Sequence, residues 1–135
     1  MELFQAIEKR RSIRGFLPHP VSRGTLSRIL AAGQKAPSAM NSQPWEFVVV
    51  AGRVLDAIKR DNAARFRSGE TPAPELEPGV WPKESRYRRS QVDLARQLFE
   101  AMGIAYEDKE ARTSWAERGF CFFDAPAAVF LCVDG

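Results

Sequence analysis

The sequence has little histidine and little cysteine. His19 is the single histidine among the 135 residues, and prolines flank it on both sides. One imidazole nearly excludes a histidine-based metal site and argues against a Ser–His–Asp triad. Cys121 and Cys132 are the two cysteines and form no Cys-x-x-Cys pair, which indicates reduced thiols and not a disulfide framework. We therefore expect a cytoplasmic protein without a bound metal.

Long apolar runs and glycine-rich phosphate loops are lacking as well. The longest apolar run, residues 125–133, is far shorter than the roughly 20 residues that a transmembrane helix needs. The opening "MELFQAIEKRRS" has no apolar signal-peptide core. Neither Gly-x-Gly-x-x-Gly nor Gly-x-x-x-x-Gly-Lys occurs, so a Rossmann or P-loop nucleotide site is not indicated. We expect no contact with a membrane.

Charge of one sign is not in excess either. Lys and Arg number 20 against 17 Asp and Glu, and the net charge of +3 gives no reason to expect a nucleic-acid partner. Arginine supplies 15 of the basic residues, and its planar guanidinium suits bidentate contacts to phosphate. The length predicts one domain, 1–135, that is large enough to bury a core.

Hydrophobic periodicity and turn residues predict five helices and two strands. The helices are predicted at 2–11, 23–35, 54–66, 86–102 and 107–117, and the strands at 45–51 and 125–133. Both strands are apolar enough to be buried on both faces. Prolines and glycines between Arg67 and Ser85 predict a long ordered loop or insertion. Because two strands alone make a marginal sheet, we expect other chains or further residues to complete it.

An arginine-rich segment, "RRSIR", ends the first predicted helix. Arg10 and Arg14 are four residues apart and would share a face if the helix continued. With Arg11 and the hydroxyl of Ser12 they would form a phosphate clamp. The alternative is that these cations offset the helix dipole and stay solvated. The segment alone leaves both open.

A second polar segment, "APSAMNSQP", comes directly before the first predicted strand. Asn41 and Gln43 each offer a hydrogen-bond donor and an acceptor, which suits the edge of a heterocycle. A loop ahead of a buried strand is a usual place for binding groups. The alternative is a plain loop whose Asn and Ser side chains satisfy their own backbone.

Two other clusters favour structural roles. Arg86, Arg88 and Arg89 form a charge run that is typical of a solvated face. The aromatic set before the last strand, Phe120, Phe122 and Phe123, is typical of a core.

The order and spacing of these segments resemble the FMN-dependent nitroreductase family. "RRSIRGF" and "APSAMNSQPWEFVVV" carry the resemblance at the start of the chain, and "RRSQVDLARQLFEAMGI" followed by "FCFFDAPAAVFLCVD" is similar to the branch with a Pro-rich insertion before a buried strand. The resemblance implies an α+β fold in which helices wrap a central, mostly antiparallel sheet. It also implies an intertwined homodimer with FMN at the subunit interface.

The resemblance implies the cofactor contacts too. The first motif would contact the phosphate, ribityl side and pyrimidine edge of FMN, and the second would reach the flavin from the partner subunit. The implied cofactor-binding residues are Arg10, Arg11, Ser12, Arg14, Pro37, Ser38, Ala39, Asn41 and Gln43. No catalytic side chain is implied, because the flavin would take hydride from NAD(P)H at N5 and pass it to a nitroaromatic, quinone or similar small-molecule acceptor.

The chain is shorter than members of that family. By resemblance, the absent part would hold further strands, a Gly-rich segment near flavin N5 and a basic residue for the FMN phosphate. We therefore expect the domain to be incomplete at its C-terminus. Trp81, in the insertion, would line the acceptor side, and Arg118 stands near a position where the family often has asparagine. The alternatives are a truncated, cofactor-free remnant and a small basic binding module without enzyme activity.

Overall fold

The computed structural model describes residues 2–71, 73–74 and 79–133. Its elements, in chain order, are α1 (Leu3–Lys9), α2 (Arg23–Gly33), β1 (Trp45–Ala51), α3 (Gly52–Ser68), α4 (Arg86–Ala101), α5 (Lys109–Phe120) and β2 (Ala127–Val133). Within these ranges, no helix combines the length and apolarity that a membrane span requires.

The observed elements follow the predicted ones closely, with one correction that bears on function. The first strand has its predicted bounds, whereas the predicted helix over 2–11 ends at Lys9. Arg10 already has φ −59° and ψ 130°, which is outside the helical region. The predicted helix end at Arg11 is therefore wrong, and Arg10 and Arg14 do not share a helical face because the helix does not continue to them. The pair Asp134-Gly135 after the second strand is typical of a turn in sequence and lies outside the described residues.

Local capping explains several helix boundaries. The side chain of Ser22 accepts a hydrogen bond from the backbone N–H of Thr25 at 3.1 Å, as expected of a serine at the N-cap of α2. Ser85 does the same for Tyr87 at the start of α4. Beyond the end of α4, Gly103 has φ +68°, the left-handed conformation that favours glycine after a helix.

The sheet consists of β1 and β2 in the described residues, paired antiparallel from Trp45–Val133 to Ala51–Ala127. Val48 is 45% exposed and Leu131 is 61% exposed. The expectation that both strands are buried on both faces is therefore wrong for this chain. Side chains on a strand become buried only when other elements cover them, and a two-stranded sheet supplies little cover.

Contacts divide the chain into two compact units, Met1–Asp61 with Cys121–Gly135, and Asn62–Phe120. In the first unit, Leu55 of α3 is 1% exposed and is the largest fully buried side chain of the described residues. The Nζ of Lys59 donates to the carbonyl of Ala125 at 2.7 Å, which ties α3 to the start of β2. The single domain and the insertion at 67–85 stay predictions.

The second unit contains the C-terminal part of α3, followed by α4 and α5. The rings of Phe66 and Phe120 lie 4.9 Å apart between centroids, and Asn62 donates a hydrogen bond to the carbonyl of Phe120 at 3.0 Å. Arg67 forms an ion pair with Glu117. These contacts join α3 and α5.

Candidate cofactor-binding site

The arginine-rich segment follows α1 as non-helical chain. The guanidinium of Arg11 turns back and donates hydrogen bonds to the carbonyls of Glu8 at 2.6 Å and Arg10 at 2.9 Å. Arg11 therefore satisfies carbonyl groups at the end of α1, which is the helix-end role that the sequence left open. Arg10 and Ser12 are exposed in the same segment.

Arg14 makes a contact that is remote in sequence. Its Cζ lies 5.9 Å from the ring centroid of Phe123, within the range of a cation–π interaction. Arg14 is exposed and Phe123 is half-buried. In sequence, Phe123 belongs to an aromatic set typical of a core, and neither spacing nor periodicity links it to Arg14.

Phe123 belongs to a turn with an unusual backbone. Phe122, Phe123 and Asp124 have φ values of 55°, 51° and 64°, so three consecutive residues other than glycine are left-handed. Each costs on the order of 1 kcal/mol or more relative to ordinary backbone. The backbone N–H of Ala125 closes the turn by donating to the carbonyl of Phe122 at 3.0 Å.

The second polar segment is ordered by its own side chains. The Oγ of Ser38 accepts the backbone N–H of Gln43 at 3.0 Å, and the side-chain amide of Gln43 donates to Oδ1 of Asn41 at 2.8 Å. Met40, Asn41 and Gln43 all have positive φ. Ala39–Asn41 is a short turn that follows Pro37 and Ser38. The loop is therefore self-supporting, as the alternative interpretation expected.

The self-supporting loop still has binding capacity. The Gln43–Asn41 hydrogen bond uses the oxygen of Asn41 and one N–H of Gln43, so the amide group of Asn41 supplies donors and the oxygen of Gln43 an acceptor. FMN, which the resemblance implies, carries a dianionic phosphate and a pyrimidine edge with both donors and acceptors. Arginine cations suit the first group and an amide pair suits the second. The residues present therefore fit FMN.

The basic cluster at the start of α4 is engaged locally. Arg86, Arg88 and Arg89 are exposed, in agreement with a solvated face. Arg86 donates to the hydroxyl of Tyr87 at 2.9 Å and lies over its ring at 4.8 Å, while the ring of Trp81 lies 4.5 Å from that of Tyr87. The role of Trp81 on an acceptor side stays a prediction.

The described part of the second unit includes two open cavities of small-molecule size. One, of about 680 Å³, is lined by Asn62, Phe66 and Phe120 among others, and the other, of about 790 Å³, lies along α4 and α5. Both volumes fall in the range of small-molecule sites. Neither cavity is lined by a residue of the two predicted motifs. No cluster of His, Cys, Asp or Glu suited to a metal ion is found in the described part of the chain.

Comparisons with known proteins agree on one family. The model of the nitroreductase family matches residues 7–131. The chain is 35% identical to the nitrobenzene nitroreductase of Ectopseudomonas oleovorans over 95% of its own length and 57% of that protein. It is 31% identical to the chloronitrobenzene nitroreductase of Comamonas testosteroni over the same shares of the two chains.

Solved structures give the same result. The crystal structure of the FMN- and NADPH-dependent nitroreductase NfnB from sphigopyxis sp. strain HMH matches with a TM-score of 0.86 and 31% identity, covering 97% of this chain and 59% of the other. NfnB from Mycobacterium smegmatis, solved in complex with NADPH, matches with a TM-score of 0.78 and 26% identity, covering 98% and 61%. The chain thus spans about three fifths of the length of the proteins it matches.

Proposed function

The chain belongs to the nitroreductase family and has its α+β fold, and on that premise we propose that the full-length protein is an FMN-dependent NAD(P)H oxidoreductase. The observation that carries this proposal is the family match, because residues 7–131 include both predicted flavin-binding motifs. We propose a nitroaromatic, quinone or similar acceptor, and the names of the relatives, a nitrobenzene and a chloronitrobenzene nitroreductase, support the nitroaromatic. A cytoplasmic location accords with the two free thiols, Cys121 and Cys132.

The predicted residues would have different roles in binding the cofactor. When bound, FMN would supply hydride transfer between NAD(P)H and the acceptor through N5. Arg10, Ser12 and Arg14 would hold its phosphate and pyrimidine edge, and a guanidinium at that edge would stabilise the negative charge of the reduced ring. Arg11, bound to carbonyls at the end of α1, would hold the segment in place beside them.

We further propose a homodimer with the cofactor at its interface. Leu3, Phe4 and Ile7 form one apolar face of α1, and they are 70%, 77% and 64% exposed. Such a cluster of exposed apolar side chains marks an interaction surface. In this arrangement the α1 face packs on the partner, and the partner's loop 37–43 reaches the flavin.

The absorption spectrum of the purified full-length protein tests the proposed function. We expect visible flavin bands, a stoichiometric amount of FMN on heat release, and bleaching of the bands by NADPH or NADH under anaerobic conditions. A colourless protein that stays so after incubation with excess FMN would identify a cofactor-free remnant and reject the proposal. Salt-sensitive retention on DNA by that colourless protein would favour the basic binding module.

Replacing Ser38 tests the contribution of the loop. Ser38→Ala removes the acceptor for the backbone N–H of Gln43, and a lost hydrogen bond of about 0.5–1.5 kcal/mol is expected to raise the Kd for FMN about two- to tenfold. The Kd is measured by the quenching of FMN fluorescence. The matched control is Ser42→Ala, because Ser42 is an exposed serine of the same loop. Equal effects from both variants would show that the Ser38 hydroxyl does not hold the loop for the ligand.

A further inference from the structure

We propose that Phe123 is a positioning residue for Arg14, and that it thereby raises the affinity of the protein for FMN, above all for the reduced form. The inference rests on the proposed function, in which Arg14 contacts the flavin. Its structural basis is the 5.9 Å separation between Cζ of Arg14 and the ring centroid of Phe123. Nothing in the sequence motifs assigns a role in cofactor binding to Phe123.

The contact restricts Arg14 without consuming its hydrogen-bonding groups. An exposed arginine outside a helix has many rotamers, and binding a ligand through one of them costs conformational entropy. An aromatic ring beneath the guanidinium attracts the cation electrostatically through the ring face. The N–H groups lie in the guanidinium plane, so this attraction does not use them. Arg14, attracted to this ring, would therefore be oriented before the ligand arrives.

The ring of Phe123 is itself held by a rigid turn. The left-handed turn at Phe122–Asp124 persists only if its surroundings over-determine it. On one side, the ring of Phe122 packs edge-on against Phe130 of β2, with centroids 5.8 Å apart. Next to the turn, Lys59 of α3 donates to the carbonyl of Ala125. The contacts that maintain this strained turn therefore also fix the position of the Phe123 ring beneath Arg14. Strained backbone of this kind concentrates at functional sites.

The chain offers a matched control in the adjacent residue. Phe122 has φ 55° and Phe123 has φ 51°, so a substitution at either position meets the same backbone demand. Both rings are half-buried. They differ in their partners, since Phe122 packs on Phe130 and Phe123 lies beside Arg14. Loss of either ring disturbs the turn, but only loss of the Phe123 ring removes the contact with the cation.

The test compares Phe123→Leu, Phe123→Tyr and Phe122→Leu in the full-length holoenzyme. Phe123→Leu is expected to raise the Kd for oxidised FMN about three- to tenfold, the range of a cation–π contact that is partly desolvated. The increase in Kd is expected to be larger for reduced FMN than for oxidised FMN. The reduction potential of the bound flavin would then become more negative by about 30 mV for each factor of ten by which the two increases differ. Phe123→Tyr keeps a ring and is expected to keep both values close to those of the wild type. Phe122→Leu loosens the turn but leaves the Phe123 ring in place, so it is expected to raise the Kd for FMN less than Phe123→Leu does.

A double-mutant cycle separates positioning from a general loosening of the turn. Adding Phe123→Leu to Arg14→Ala is expected to cause no further loss of FMN affinity, because the ring acts through the guanidinium. In the apoprotein, the Arg14 side-chain NMR signals are expected to show a ring-current shift that Phe123→Leu abolishes. If Phe123→Leu does not fold, Phe123→Asn replaces it, since asparagine tolerates left-handed backbone.

Each outcome is decisive. The inference would be overturned if the losses of FMN affinity were additive in the cycle, or if Phe122→Leu and Phe123→Leu lost equal affinity. Either result would leave the flavoprotein proposal intact. Arg14→Ala with wild-type FMN affinity would do the same. A wild-type protein that binds no FMN would overturn the inference together with the proposed function.

Discussion

Full-length protein carrying Arg14→Ala is expected to bind FMN about 10- to 150-fold more weakly than the wild type. The range corresponds to the 1.5–3 kcal/mol typical of a hydrogen bond to a charged group. Arg14 lies in the family-matched region, outside the helices, and its guanidinium lies beside the ring of Phe123. Titration of the apoprotein with FMN, followed by flavin fluorescence, measures the change.

Two further variants make the Arg14 result specific. Arg28→Ala removes one positive charge from an exposed position on α2 and is expected to change the Kd less than twofold. Arg14→Lys keeps the charge but loses the planar fork, so an intermediate Kd is expected. Equal losses from Arg14→Ala and Arg28→Ala would mean that FMN responds to overall charge and that Arg14 makes no direct contact.

Replacing Ile7 by aspartate is expected to dissociate the proposed homodimer. Ile7 is 64% exposed on the apolar face of α1, and an interface on that face would have to bury the introduced carboxylate. Burial of an unpaired charge costs several kcal/mol, so we expect the dimer dissociation constant to rise at least about 100-fold. Sedimentation velocity over a range of protein concentrations measures this shift. FMN content should fall in parallel, because the partner's loop 37–43 would be lost from the site.

The control for Ile7→Asp is Gln5→Asp. Gln5 is a polar residue of the same helix, two positions away and outside the apolar face, so the helix-propensity cost of aspartate is similar. Gln5→Asp is expected to remain dimeric with normal FMN content. A dimer equally stable in both variants would show that the face formed by Leu3, Phe4 and Ile7 is covered by something other than a second subunit.

The bounds of several helices and strands could be predicted from the sequence alone. β1 has the predicted bounds, and the Ser22 and Gly103 boundaries follow from capping chemistry that depends on a few adjacent residues. The burial of the strands did not follow from their composition. The sequence "WEFVVVA" is compatible with a buried strand and with an exposed one. Which of the two occurs depends on whether other elements of the assembled structure pack on its faces.

The candidate site shows the same contrast between features that adjacent residues determine and features that depend on tertiary contacts. The two motifs were found because each is contiguous, and the family comparison covers both of them. The position of Arg11 was not predictable in detail, since its carbonyl contacts depend on where α1 ends. The pairing of Arg14 with Phe123 is beyond any local pattern. It requires a left-handed turn in "FFD", where no glycine marks the conformation.

The two-stranded sheet has a practical consequence for samples of the 135-residue chain. β1 and β2 pair with each other along one edge, so the opposite edge of each strand has no neighbour in the described residues. Val49 and Leu131 bring apolar, β-prone side chains to these strands and are partly exposed. Open apolar edges recruit strands from other molecules. Concentrated samples of the 135-residue chain would therefore self-associate by edge pairing, and turbidity in such samples would reflect uncovered strand edges and not a failed ligand site.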